Sequence, residues 1–278
     1  MTLTVEERAK VLVEALPYIK RFHGQIVVIK VGGNAIEKAK EQTLLDVVLL
    51  RYVGMQPLLV HGGGPEITAM SERLGLTAEF KNGLRVTDEK TMEVVKMVLT
   101  GKVSPDLVAS LNRIGGQAVG MSGEDGPSII AEPLSSEMGF VGKVVQVNAE
   151  PITALLSRGY VPVIASIGLG YDGHAYNINA DTVAAEIAVA LGAAKLILLT
   201  DVPGVQGADG GVVAVMSRDD AQRRIETGEV TGGMIPKLQA CLRSLDRVPL
   251  AHIIDGRVPH ALLLELFTEA GIGTMVTP

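Results

Sequence analysis

The sequence predicts an α/β fold: a three-layer αβα sandwich around a central, mainly parallel open sheet, with one helix added in front. Runs rich in Val, Ile and Leu alternate along the chain with stretches of helical period, which is the pattern of parallel strands covered by helices on both faces. Two of these runs, 26-IVVIKVGGNA-35 and 58-LLVHGGGPEI-67, break directly into glycines ahead of a helix. The chain of 278 residues is 47% hydrophobic, which is enough to bury a large core and argues against disorder.

The elements follow in order. Over residues 5 to 22, Val5, Ala9, Leu12, Leu16 and Ile19 recur at spacings of four and three among Glu6, Glu7, Lys10 and Lys20, giving an amphipathic helix before the first strand. Its stripe can cover either its own domain or another subunit. Strand 26 to 31, a helix near 35 to 53, strand 58 to 61 and a helix near 64 to 74 come next. The segment 78-AEFKNGLRVTD-88 places an Asn-Gly turn between short alternating runs and reads as a β-hairpin. One long helix is expected over 88 to 113, then a glycine-rich region with short β-like runs to 147. The second half repeats the alternation: helix 150 to 158, strand 161 to 167, helix 180 to 192, strand 195 to 202, helix 232 to 247, strand 251 to 255 and helix 259 to 270. No proline-rich or low-complexity linker separates the halves, so one continuous sheet is expected, with lobes over 24–175 and 176–278 behind an N-terminal extension over 1–23.

Composition excludes several functions. A formal charge of −6 argues against a nucleic-acid surface, and 3% aromatic residues with no tryptophan leave few stacking platforms for single strands. The single cysteine, Cys241, excludes an internal disulfide framework and multi-cysteine metal sites, and its helical setting reads as core packing. The first ten residues, MTLTVEERAK, carry charges where a signal peptide needs an apolar run, and no uncharged apolar stretch is long enough to span a membrane. The protein reads as cytoplasmic.

A buried strand that ends in glycine and hands over to a helix exposes backbone N–H groups at the positive end of that helix, an anion site. Two such turns from neighbouring parallel strands can hold one phosphate between them, with Lys30 adding a full charge. Neither turn matches G-x-x-x-x-G-K-[ST] or G-x-G-x-x-G, so the usual P-loop and dinucleotide fingerprints are missing. A nicotinamide oxidoreductase is disfavoured for that reason, and because Val60 and His61 stand where a ribose-binding acid would follow the second strand. His61 reads as a hydrogen-bonding residue at a strand end rather than a catalyst. Four further segments share this polar, strand-end character: 82-NGLRVT-87, 176-YNINADT-182, 200-TDVPGV-205 and 231-TGGMIPK-237.

In this order and spacing the set resembles the amino-acid kinase family over essentially the full length, and most closely its members that phosphorylate N-acetyl-L-glutamate. The resemblance implies an ATP-dependent kinase that converts the side-chain carboxylate to an acyl phosphate. Such a nucleophile is ionised at neutral pH, so the barrier is charge on the moving phosphoryl group and repulsion between anions. By the resemblance, Lys30 and Lys237 are the catalytic cations and Asp181 organises them. Gly63, Gly64, Arg85, Asn177 and Asn179 contact the amino-acid substrate, Arg85 because a planar fork holds a carboxylate through two hydrogen bonds. Between the asparagines the family points first to Asn177 for the acetamido group. Gly32, Gly33, Thr200, Asp201, Gly204, Val205, Gly232, Gly233 and Met234 are the implied nucleotide contacts. Mg2+ enters bridging phosphate oxygens, with no protein cage.

Arginine-inhibited members of the family carry an N-terminal helix that interlaces two dimers into a hexamer, a trimer of dimers, and bind arginine between that helix and the C-terminal segment. The implied effector contacts here are Tyr18, His252, Glu265 and Gly271, and some relatives also bind a nitrogen-signalling regulator protein. Two alternatives stay open: a kinase for a one-carbon-longer aminoadipate derivative, and a non-catalytic amino-acid sensor. Retention of Lys30, Asp181 and Lys237 together speaks against the sensor.

Overall fold

The computed structural model describes residues 4–81, 83–269 and 271–278, without the side chains of residues 8 and 33–38. The chain opens with helices α1 (Val5–Glu14) and α2 (Leu16–Phe22), then runs β1 (Ile26–Val31), α3 (Gly33–Tyr52), β2 (Gln56–His61) and α4 (Gly64–Arg73). The hairpin β3 (Phe80–Lys81) and β4 (Leu84–Arg85) follows, then α5 (Glu89–Val98), α6 (Ser104–Arg113), β5 (Ala118–Ser122), β6 (Ile129–Pro133), β7 (Gly142–Val147) and α7 (Glu150–Ser157). The remainder is β8 (Val161–Ala165), β9 (Ile167–Gly170), β10 (Ala175–Asn177), α8 (Ala180–Leu191), β11 (Lys195–Thr200), β12 (Val215–Ser217), α9 (Arg218–Glu226), α10 (Met234–Ser244), β13 (Ala251–Asp255), α11 (Ala261–Phe267) and β14 (Thr274–Thr277).

Eight strands form one sheet in the order β12-β14-β13-β11-β1-β2-β8-β5. Its six strands from β13 to β5 are mutually parallel, and β12 and β14 run against them at one edge. The expected α/β sandwich is therefore present, and a strand from the second half, β11, pairs directly with β1 from the first. The continuous apolar runs have a simple cause. Val28, Leu58, Val60, Ile164, Leu196 and Leu198 pack on one face with α7, α8 and α10, while Val27, Ile29, Leu59, Val163, Ile197 and Leu199 pack on the other with α3, α6 and α11. Neighbours along each strand point to opposite faces, so both must be apolar. Each such side chain contributes roughly 1.5–3 kcal/mol on burial.

Several expectations need correction. The helix over 5 to 22 is broken at Ala15, because Pro17 lacks the N–H that would continue the ladder. Thr4 caps α1 in a capping box with Glu7, and the apolar side chains Val5 (84% exposed) and Leu12 (73%) are not covered by the chain itself. The long helix over 88 to 113 is two, joined by a π-helical turn over Leu99–Val103 just ahead of Pro105. The strand expected over 161 to 167 leaves the main sheet at Ser166, and β9 joins a second sheet ordered β10-β9-β6-β7. Strand 195 to 202 stops at Thr200, and the last two helices are shorter than expected. Strands β12 and β14 and helix α9 correspond to no predicted element. The hairpin is present, with Gly83 at φ +78° beyond Asn82, which lies outside the described residues, as does Ala270 of the last predicted helix. Among the described residues no helix is long and apolar enough to cross a membrane.

Candidate active site

Strand β1 lies at the centre, with β11 on one side and β2 on the other, so chain connections diverge there. In an open α/β sheet the crevice beyond the carboxyl ends at such a point is where ligands bind. The β1 end supplies Lys30 and Gly32, the β2 end Gly62 to Gly64, and the β11 end Thr200 and Asp201. Gly32 caps α3, and Gly33 is its first residue. A Cβ on Gly32 would lie 3.3 Å from Lys30 Nζ and 3.4 Å from the Leu199 carbonyl, so the glycine leaves room for the ammonium group.

Helix α8 begins under this crevice. Asn179 caps it, its Oδ1 accepting from the backbone N–H of Asp181 (2.8 Å) and Thr182 (3.2 Å). Asp181 in the first turn is only 3% exposed. Its Oδ1 lies 3.0 Å from Lys30 Nζ and its Oδ2 3.1 Å from Lys237 Nζ, on the first turn of α10. Burial by itself raises the Asp181 carboxyl, but the two ammonium charges outweigh it and hold the group below the usual carboxylate range. One buried anion thus fixes two cations of opposite origin in the chain.

A cavity of about 340 Å³ opens on Lys30. Gly32, Gly63, Gly64, Arg85, Asn177, Asn179, Asp181 and Lys237 all line it. Arg85, 7% exposed, donates from Nη2 to the Gly64 carbonyl (3.1 Å) and Thr68 Oγ1 (2.6 Å), and its guanidinium stands 4.7 Å from the Phe80 ring centre. Burial lowers the Arg85 pKa, and its Nη1 is buried without a partner among the described residues. A free donor on a desolvated cation suits a carboxylate ligand. Asn177 Nδ2 donates to Thr87 Oγ1 at 3.2 Å and its amide oxygen has no partner among the described residues, whereas the Asn179 oxygen is committed to the helix cap.

A second cavity of about 380 Å³ is lined by Thr200, Asp201, Gly204, Val205, Gly233 and Met234, and it meets the first at Gly233 and Lys237. Gly232 is not among its lining. At φ +57° it makes the turn that starts α10, a conformation that favours glycine. Sequence reasoning missed Gln206, Glu229 and Thr231 in this cavity and Phe80, Leu99 and Ser166 in the other. Thr231 heads the quoted segment 231-TGGMIPK-237, a signal within reach. Ser166 has none, since it follows an apolar run like any strand end.

The amino acid kinase family model matches residues 25–255. The chain belongs to the amino acid kinase family. A relative from Thermoanaerobacter pseudethanolicus named acetylglutamate kinase is 52% identical over 277 residues, covering 97% of this chain and 93% of its own. One of the same name from a Nostoc species is 53% identical over 276 residues, with the same coverage. Among solved structures, the N-acetylglutamate synthase of Neisseria gonorrhoeae, complexed with coenzyme A and N-acetyl-glutamate, superposes with a TM-score of 0.87 at 26% identity. That match covers 97% of this chain but 63% of the synthase, so this member of the family spans under two thirds of it.

A third cavity, about 450 Å³, lies between α2, β13 and α11 and is lined by Tyr18, His252, Glu265 and Gly271 together. Glu265 Oε1 accepts from Lys195 Nζ (2.8 Å) and lies 2.7 Å from His252 Nε2, and its Oε2 accepts from the Ile272 N–H (3.0 Å). Burial raises this carboxyl first, but His252 and Lys195 reverse the shift and bring it down to about 2. Burial likewise lowers the His252 pKa, against the Glu265 carboxylate that raises it. Sequence reasoning missed Lys195 and Arg21 here; Lys195 opens the otherwise apolar 195-KLILLT-200 and was a visible anomaly.

Proposed function

We propose that the chain transfers the γ-phosphoryl group of ATP to the side-chain carboxylate of N-acetyl-L-glutamate, giving N-acetyl-L-glutamyl 5-phosphate, a step in arginine biosynthesis in the cytoplasm. The observation that carries this reading is the pairing of Asp181 with Lys30 and Lys237 where two cavities meet. The full-length relatives named acetylglutamate kinase support the same substrate.

In this reading the smaller cavity takes the acceptor. Arg85 Nη1 binds its α-carboxylate, Asn177 reads the acetamido group, Asn179 lines the same wall, and Gly63 and Gly64 let the substrate approach the backbone. The segment 24–175 supplies most of these groups and 176–278 the nucleotide side, with residues 1–23 as an extension. Thr200, Asp201, Gly204, Val205, Gly233 and Met234 line the space for ATP. Lys30 and Lys237 then meet the transferred group from its two sides. The carboxylate nucleophile needs no general base, so the two cations and the backbone donors of the glycine turns provide the charge stabilisation. Mg2+ would enter with the nucleotide and would supply further charge stabilisation at its phosphates. Among the described residues no cluster of three or more His, Cys, Asp or Glu side chains is placed to hold a metal.

The third cavity is proposed as an arginine inhibitory site, with Tyr18, His252, Glu265 and Gly271 as contacts, because all four residues line it. The uncovered apolar side of α1 supports assembly of dimers into a hexamer, and a nitrogen-signalling regulator protein is a further partner of the same reading. The aminoadipate-type substrate is the second reading, since Arg85 serves either acceptor. ADP release measured with ATP, Mg2+ and N-acetyl-L-glutamate, with the one-carbon-longer acceptor in parallel and arginine added, tests these assignments. No acceptor-dependent release would refute the kinase reading, and equal turnover of both acceptors would refute its specificity.

A further inference from the structure

We propose that His61 is a positioning residue for phosphoryl transfer: it fixes the Gly62–Gly63 peptide so that the Gly63 N–H faces the reacting carboxylate and phosphoryl group. This inference rests on the kinase reading above. His61 ends β2 and is 1% exposed, with Nδ1 3.0 Å from the Gly62 carbonyl oxygen. A ring nitrogen at that distance from a carbonyl must carry the hydrogen, so Nδ1–H donates and Nε2 is the bare acceptor.

Gly62 forms the wall between two spaces. One is the acceptor cavity; the other, about 150 Å³, contains His61 and Glu66 but not Gly63. The Gly62 carbonyl is held from the His61 side. In a trans peptide the C=O and the following N–H point in opposite directions, and no cis peptide occurs among the described residues. The Gly63 N–H is therefore turned away from the Gly62 carbonyl and the His61 ring; Gly63 itself lines the acceptor cavity, and its N–H has no acceptor among the described residues. Three successive glycines leave this peptide with wide torsional freedom, and they offer no side chain to restrict it. The His61 bond restricts the Gly62 carbonyl, while the Ile67 N–H and Arg85 hold the Gly63 and Gly64 carbonyls.

The far side of the ring agrees. His61 Nε2 and Glu66 Oε2 are both buried and both lack a partner among the described residues, and both residues line the smaller space. A bare Nε2 in a polar space suits a water that donates to it, which would keep the proton on Nδ1.

His61→Asn and His61→Gln separate positioning from packing, because an asparagine nitrogen takes the place of Nδ1 and a glutamine nitrogen that of Nε2. Loss of one backbone donor to a developing charge lowers kcat by about 10²–10³, so a misdirected Gly63 N–H should lower it in His61→Gln by roughly 30-fold or more. Asparagine should restore kcat to within about fivefold of wild type, with both KM values changed by less than about threefold in either variant. Equal kcat in the two variants, or a KM change without a kcat change, overturns the inference while leaving the kinase reading intact. Melting temperatures measured alongside show whether both variants fold; two folded variants that lack the split in kcat overturn it equally. A wild-type chain that releases no ADP with the acceptor overturns both.

Discussion

Replacing Asp181 by asparagine keeps the side-chain volume and removes the charge between Lys30 and Lys237. The structure sets the magnitude. Both contacts are close to 3 Å, at 3.0 and 3.1 Å, and the carboxylate is almost fully buried. At that separation and an effective dielectric of about 20, each attraction amounts to roughly 5 kcal/mol before desolvation is counted. Relief of the buried carboxylate's desolvation returns several kcal/mol, which leaves a net loss of about 3–5 kcal/mol for breaking a buried pair. In a chain of this size that lowers Tm by roughly 6–15 °C. The catalytic effect is larger than a stability loss alone would give. Two unanchored lysines drift from the transferred group, and a displacement of about 1 Å lowers kcat by about 10²-fold. The KM for ATP should change little, because the phosphates supply their own charge to Lys237. Steady-state ADP release and thermal unfolding read the two effects separately. A variant that keeps kcat within about threefold of wild type would refute the reasoning that Asp181 positions both cations.

Arg85→Lys keeps the charge and loses the fork, so the KM for the amino-acid acceptor should rise by about 10–100-fold while that for ATP stays constant in the same kinetic assay. Gly32→Ala introduces a methyl group 3.3 Å from Lys30 Nζ and should lower kcat by roughly tenfold with little change in Tm. Glu265 is held at about 2 against an ordinary 4.5, so its contribution to stability is fully present above pH 4.5 and lost as the pH falls towards 2. Melting curves across that window should therefore be steeper in pH for wild type than for Glu265→Gln, and the same variant should weaken inhibition by arginine. Removal of residues 1–14 should shift the sedimentation coefficient from a hexamer to a dimer, since it deletes the uncovered apolar side chains of α1.

The sheet was legible because each buried strand of the core is apolar on both faces; 26-IVVIKV-31 and 195-KLILLT-200 leave little alternative. The short edge strands β12 and β14 were not legible, since three or four residues bound by pairing to one another carry no periodic pattern of their own. The breaks at Ala15 and across Leu99–Val103 were signalled by Pro17 and Pro105, which an amphipathic stripe easily obscures. In the site, Lys30 and the glycine turns could be read locally. Asp181 could not, because a carboxylate in the first turn of a helix is ordinarily there for the helix dipole, and only the fold brings Lys30 and Lys237 to it from 151 and 56 residues away. The commitment of Asn179 to the cap of α8 was equally hidden: its spacing from Asn177 resembles a strand face, but the chain has already turned into the helix.

A carboxylate that receives the phosphoryl group becomes an acyl phosphate, which can be captured chemically. With ATP, Mg2+ and N-acetyl-L-glutamate in the presence of hydroxylamine, the account requires acceptor-dependent hydroxamate to accumulate in equal amount with ADP, and both to disappear together in Lys30→Ala and Lys237→Ala. ADP released without hydroxamate, or hydroxamate formed undiminished after either lysine is removed, would contradict it.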